Sequence, residues 1–144
     1  MDRAQPLDPD LTRPSQNGVY FVNDADLDRL AMRASGEELA VRRIDLADCH
    51  DATELLRRLA AMLDLSGDAA YDWDSLADRL RHLAWLPAWG HALLFGHAGA
   101  LHRGAEEAFD ILLGLLDDAA TFAQDADRPF FAFLALPEHS PNLA

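Results

Sequence analysis

FFAFLAL, Phe130 to Leu136, lies between Pro129 and Pro137 and carries no polar residue. A strand with one wet face alternates apolar and polar side chains. An unbroken apolar run therefore predicts a strand buried on both faces, as in a parallel sheet covered by helices. Ala92 to Phe95, ALLF, is a shorter run of the same kind. Upstream, Val19 to Val22 (VYFV) is β-branched and aromatic, and Leu39 to Leu46 reads as another strand although it contains Arg42 and Arg43.

Helical periodicity fills the intervals between these runs. Asp24 precedes Leu27, Leu30 and Ala31, spaced as one face of a short helix that stops near Ser35-Gly36. Asp51 is placed to cap a helix whose apolar stripe is Leu55, Leu56, Leu59, Met62 and Leu63. After Ser66-Gly67 a second helix is predicted from Asp72 to Ala84, with Trp73, Leu76, Ala77, Leu80 and Leu83 inward and Pro87 ending it. A long helix is expected over Ala105 to Gln124, its inner face holding Ala108, Ile111, Leu112, Leu115, Ala119 and Phe122. Strands joined by helical crossovers define an α/β fold, a small mainly parallel sheet of about three to four strands covered by helices. Two successive helices between the second and third strands exceed what a crossover requires.

The length of 144 residues suits one domain, with half of the residues apolar. Residues 1–17, rich in Pro, Asp, Gln and Asn, read as a flexible lead-in, residues 18–136 as the domain, and residues 137–144 as a tail. Twenty-five acidic residues oppose twelve arginines, with no lysine, for a formal charge of −13. That excess disfavours a nucleic-acid backbone or an anionic membrane as ligand and fits equally a cationic partner or a charge that simply keeps soluble proteins apart. The lone Cys49 excludes an internal disulfide and reads as a small buried filler. The start of the chain lacks the apolar stretch of a signal peptide, and no run is long enough to span a membrane, so a cytoplasmic protein is expected.

Catalytic and cofactor chemistry finds little support. There is no GxGxxG after a strand and no GxxxxGK[ST], and Gly96, Gly99 and Gly104 are scattered around what reads as a loop. Cys49 and His50 are neighbours in sequence, which in extended or loop structure points their side chains apart. His91, His97 and His102 match no metal-ligand spacing and are expected to face solvent, so neither metal nor cofactor is expected. Carboxylate pairs could serve acid/base catalysis, but nothing around them supplies an apolar pocket to raise one pKa.

The carboxylates are instead candidates for binding. WDSLADRL, Trp73 to Leu80, sets Asp74 and Asp78 one helical turn apart, where like charges cost an isolated helix a few tenths of a kcal/mol. No base lies between Asp64 and Asp78, and the long helix carries Asp117 and Asp118 near an end where acids oppose the helix dipole. Two unfavourable acidic sets in one small domain suggest a shared binding surface, provided that Asp74 and Asp78 face solvent and are not neutralised by the chain's own arginines.

WDSLADRL also resembles the signature of the barstar family, an aromatic or leucine followed by Asp, a small residue, Leu, any residue, Asp, any residue and Leu. The resemblance extends to Arg43-Ile44-Asp45-Leu46 before a Leu-rich helix, the doubled helices, Trp85-Leu86-Pro87, LLDDA and FFAFLAL, covering roughly residues 18–136. It implies a barstar-like fold and a cytoplasmic bacterial protein that is no enzyme. Such a protein inhibits a basic barnase-type ribonuclease or serves as immunity protein to a related nuclease toxin, free of nucleic acid and monomeric when unbound.

By motif position, Asp74 and Asp78 would enter the nuclease active site, with Asp78 in the place of a substrate phosphate. Asp118 would be the acidic residue of the neighbouring helix, with Asp117 its substitute. Tyr71-Asp72 stand where the family usually has Gly and Asn, and Ala77 where its best-known member has a tryptophan. Tyr71 or Trp73 would then supply the aromatic contact, though Trp73 reads first as core. The alternative function is a non-inhibitory interaction or regulatory domain that binds another basic protein on the same scaffold.

Overall fold

The computed structural model describes residues 9–63, 72–83 and 88–136. Four parallel strands, β1 (Gly18–Val22), β2 (Ala40–Asp45), β3 (His91–Gly96) and β4 (Phe130–Ala135), form one sheet in the order β1-β4-β3-β2. The helices are α1 (Leu27–Gly36), α2 (Ala52–Met62), α3 (Trp73–His82), α4 (Gly99–Gly104) and α5 (Glu106–Asp125).

The strand order assigns the helices to faces. A crossover between parallel strands is right-handed, so reversing direction along the sheet moves the connecting helix to the opposite face. From β1 the chain crosses to the far edge at β2 through α1, then returns through β3 to β4 through α2 to α5. Accordingly Leu93, Phe95, Phe130, Ala132 and Leu134 pack with Leu55, Leu59, Leu76, Leu80, Leu112 and Leu116 of α2, α3 and α5. The alternate residues, Ala92, Leu94, Phe131, Phe133 and Ala135, pack with Leu27, Leu30 and Ala34 of α1 and with Leu11. Every residue of β3 and β4 is buried, as unbroken apolar runs require. At the start of β3, a Cβ on Gly90 would come within 2.6 Å of the Pro129 carbonyl oxygen, so only glycine lets the two strand entries approach.

Several features differ from the sequence reading. The packed chain starts before Gly18: Leu11 is buried, and the Asn17 amide donates to the carbonyls of Ala120 (3.1 Å) and Arg128 (2.8 Å) while its oxygen accepts from Phe130 N (2.8 Å). Residues 99–104, read as loop, form α4, which is too short to show helical periodicity. The buried face of α5 is Ala108, Phe109, Leu112, Leu116, Ala119, Ala120 and Ala123, whereas Ile111 is exposed and Leu115 and Phe122 are only partly buried. With apolar residues around most of the helix, spacing alone leaves its rotation open, and packing against both α3 and the sheet sets it. His91, expected to face solvent, is buried at the entry to β3. Asp51 caps α2 as expected, accepting from Glu54 N at 2.8 Å. The expectations for Tyr71, Pro87 and residues 137–144 lie outside the described residues.

Candidate partner-binding site

The local sequence of α3 fixes how it presents its acids. Asp72 is the N-cap, its carboxylate accepting from Asp74 N (3.2 Å) and from the Ser75 hydroxyl (3.1 Å). Aspartate is among the preferred N-cap residues, so the start of the helix is secured. Leu76, Leu80 and the following Leu83 are buried, and Trp73 is half-buried against the same core. Arg79 Nε donates to the Leu63 carbonyl at 3.1 Å, tying α3 to the end of α2. Once that face is packed, Asp74 and Asp78 both project from the exposed side, with Ala77 partly buried.

Beside α3, α5 carries Asp117 and Asp118, both exposed. Between the two helices lies Arg81, which sequence reasoning missed. Its NH1 donates to Asp78 Oδ1 (3.2 Å) and its Nε to Asp118 Oδ2 (3.1 Å). The expectation that no arginine of the chain reaches the acids is therefore corrected for Asp78. Arg81 stands three residues on from Asp78, on the same helix face, and the packing of α5 brings Asp118 to its other side. The spacing from Asp78 was readable in the sequence; the contact with Asp118, 37 residues away, was not.

Charge and exposure qualify that bridge. The side chains of Asp78 and Asp118 remain 81% and 59% exposed, so the bridge is a surface one and worth at most about 1 kcal/mol per pair. Among the described residues Asp74 and Asp117 form no ion pair, so the one guanidinium is shared by two of the four carboxylates, Asp78 and Asp118. The expected conflict of Asp117 and Asp118 with the helix dipole is also corrected. α5 continues to Asp125, leaving both more than one turn from its end, where the helix dipole no longer acts.

Other candidate chemistry is dispersed. Cys49 is buried, and that burial pushes its thiol pKa up, the reverse of what a nucleophile needs. His91 is in the core, His97 is on an exposed loop, and His102 on α4 meets the edge of Phe109 at 4.9 Å. Among the described residues no group of three His, Cys, Asp or Glu is placed to hold a metal ion. None of these residues has a helix long and apolar enough to cross a membrane. An open cleft of about 410 Å³ beyond the C-terminal ends of β2 and β3 is lined by Asp24, Asp28, Arg43, Asp45 and His97. There His97 Nδ1 meets Asp45 Oδ1 at 3.0 Å, and its backbone N–H donates to Asp24 Oδ1 at 3.0 Å. This cleft is apart from the α3–α5 acids.

The family model described as Barstar (barnase inhibitor) matches residues 39–135. The match takes in α3, α5 and the carboxylates between them. It begins after α1, so β1 and α1, included in the resemblance read from the sequence, fall outside it. No curated protein matches the chain.

Proposed function

The chain belongs to the barstar family, and from that premise we propose that it inhibits a basic barnase-type ribonuclease by inserting the acidic face of α3 into the enzyme's active site. Barstar-family proteins are inhibitors rather than enzymes and, at family level, bind barnase-type ribonucleases. The observation that carries the reading is the setting of Asp74 and Asp78 on the exposed side of a helix whose other face is locked into the core.

A ribonuclease active site gathers cationic donors around the scissile phosphodiester, and carboxylates already fixed in position can satisfy those donors at little ordering cost. In this reading Asp78 takes the place of a substrate phosphate. Asp74, Asp72 and Ala77 flank it on α3, Asp118 and Asp117 extend the contact from α5, and Tyr71 supplies the aromatic edge. The net charge of −13 raises the encounter rate with a basic enzyme at low salt, while the central pairs set how long the complex lasts. Barnase and barstar are themselves the standard example of such steering.

The test is titration of a barnase-type ribonuclease with the purified chain, followed by RNA cleavage. Wild type is expected to abolish cleavage stoichiometrically. Asp78→Ala should weaken inhibition about thirtyfold or more, the effect of losing one central contact, with an unchanged circular dichroism spectrum. Equal inhibition by Asp78→Ala would sink the assignment.

The Arg81 bridge favours one other reading, a non-inhibitory domain that binds a basic protein through the same scaffold. Capture of partners from the native cell, with nuclease activity measured in the eluate before and after the complex is dissociated, separates the two. An inhibitor releases activity on dissociation, whereas a regulatory domain releases none.

A further inference from the structure

We infer that Arg81 sets the selectivity of the acidic surface, because its guanidinium already occupies Asp78 and Asp118 and a partner's cation must displace it to take both carboxylates. The inference rests on the binding reading above for the identity of the surface and adds how that surface discriminates.

Arg81 does not form a fork on one carboxylate; it divides Nε and NH1 between carboxylates of two different helices. Those helices cannot adjust freely, since Leu76 and Leu80 of α3 pack in one core with Leu112 and Leu116 of α5. The spacing between Asp78 and Asp118 is therefore fixed by the fold and is the width that one guanidinium spans. Each acid gives Arg81 a single oxygen, and the side chain of Arg81 is itself 40% exposed, so the bridge opens without disturbing the core.

A lone basic side chain arriving from solvent exchanges one such bridge for another and gains little. A clustered set of cations gains more, because it also meets Asp74 and Asp117, which Arg81 does not reach. Arg81 thus favours partners with several adjacent basic groups over those with scattered ones. Its removal leaves the surface more acidic and open to weaker partners.

The experiment measures binding of a hexa-arginine peptide by calorimetry at low ionic strength. Wild type, Arg81→Ala, Arg81→Gln and Arg29→Ala are compared with an Arg81→Ala variant that also carries Asp78→Asn and Asp118→Asn. Arg29 pairs with Asp26 at the start of α1, the helix that covers the opposite face of the sheet, so its removal makes the same change in net charge away from the surface.

Both Arg81 variants are expected to bind about three- to tenfold tighter than wild type, the value of two exposed pairs released to the ligand. Arg29→Ala should stay within about twofold, and the additional Asn substitutions should abolish the gain. Equal tightening by Arg29→Ala would reduce the effect to net charge, and weaker binding by the Arg81 variants would make Arg81 a direct contact; either overturns the inference. Failure of the inhibitor reading appears elsewhere, as unchanged RNase inhibition by Asp78→Ala, so the two are told apart.

Discussion

His91 is a buried ionisable side chain, flanked by Arg42 of β2 and by Arg128 before β4. Desolvation, aided by the two arginines, lowers its pKa from 6.5 to about 4. The unfolded chain therefore binds a proton that the folded one refuses between those values. The stability that His91 provides is complete above pH 6.5 and is lost as pH falls toward 4. By pH 5 the loss should be about 2 kcal/mol, read as a lower urea midpoint than at pH 7.5, and His91→Leu should flatten that slope. His97 acts in the opposite sense. Its hydrogen bond to Asp45 and the charge of Asp24 raise its pKa, giving stability present below 6.5 and lost as pH rises through the folded value. Its exposure keeps that contribution minor, so the core histidine sets the sign.

At the scale of the element, α3 is determined by its cap and its buried leucines. Asp72→Ala removes the acceptor for Asp74 N and should cost about 1 kcal/mol of stability, whereas Asp72→Asn should cost almost nothing; thermal unfolding of both variants checks this. α3 was legible because WDSLADRL has a clean apolar stripe opposite its acids. The other elements were legible to different degrees. The runs behind β3 and β4 announced buried strands, since no polar residue interrupts them. α5 was legible as a helix but not in its rotation, because Phe109, Ile111, Leu112, Leu115 and Leu116 offer apolar side chains on several sides. α4, GALHRG, lacks the length for any period to register.

Across the whole molecule the sheet needs cover on two faces, and the matched range 39–135 supplies helices for one. The other face, with Leu94, Phe131 and Phe133, is buried by α1 and Leu11, which precede that range. Deleting residues 1–38 should therefore expose a contiguous apolar surface and unpair the edge of β4 along β1. The truncated chain is expected to bind a hydrophobic dye and to elute as larger species in gel filtration. A monomeric, dye-silent fragment would show that β1 and α1 are dispensable for the fold.

What the sequence determined by itself was local: strands without polar interruption, helices with a single stripe, the cap at Asp51 and the placing of Asp74 and Asp78 one turn apart. These follow from backbone periods of two and 3.6 residues, which act within a few positions of the chain. Only the tertiary structure decided which face of the sheet α1 would cover, how α5 would turn, that His91 would be buried and that Arg81 would lie between Asp78 and Asp118. Each of those depends on surfaces brought together from distant parts of the chain, where packing selects among arrangements that the local pattern leaves equal in energy.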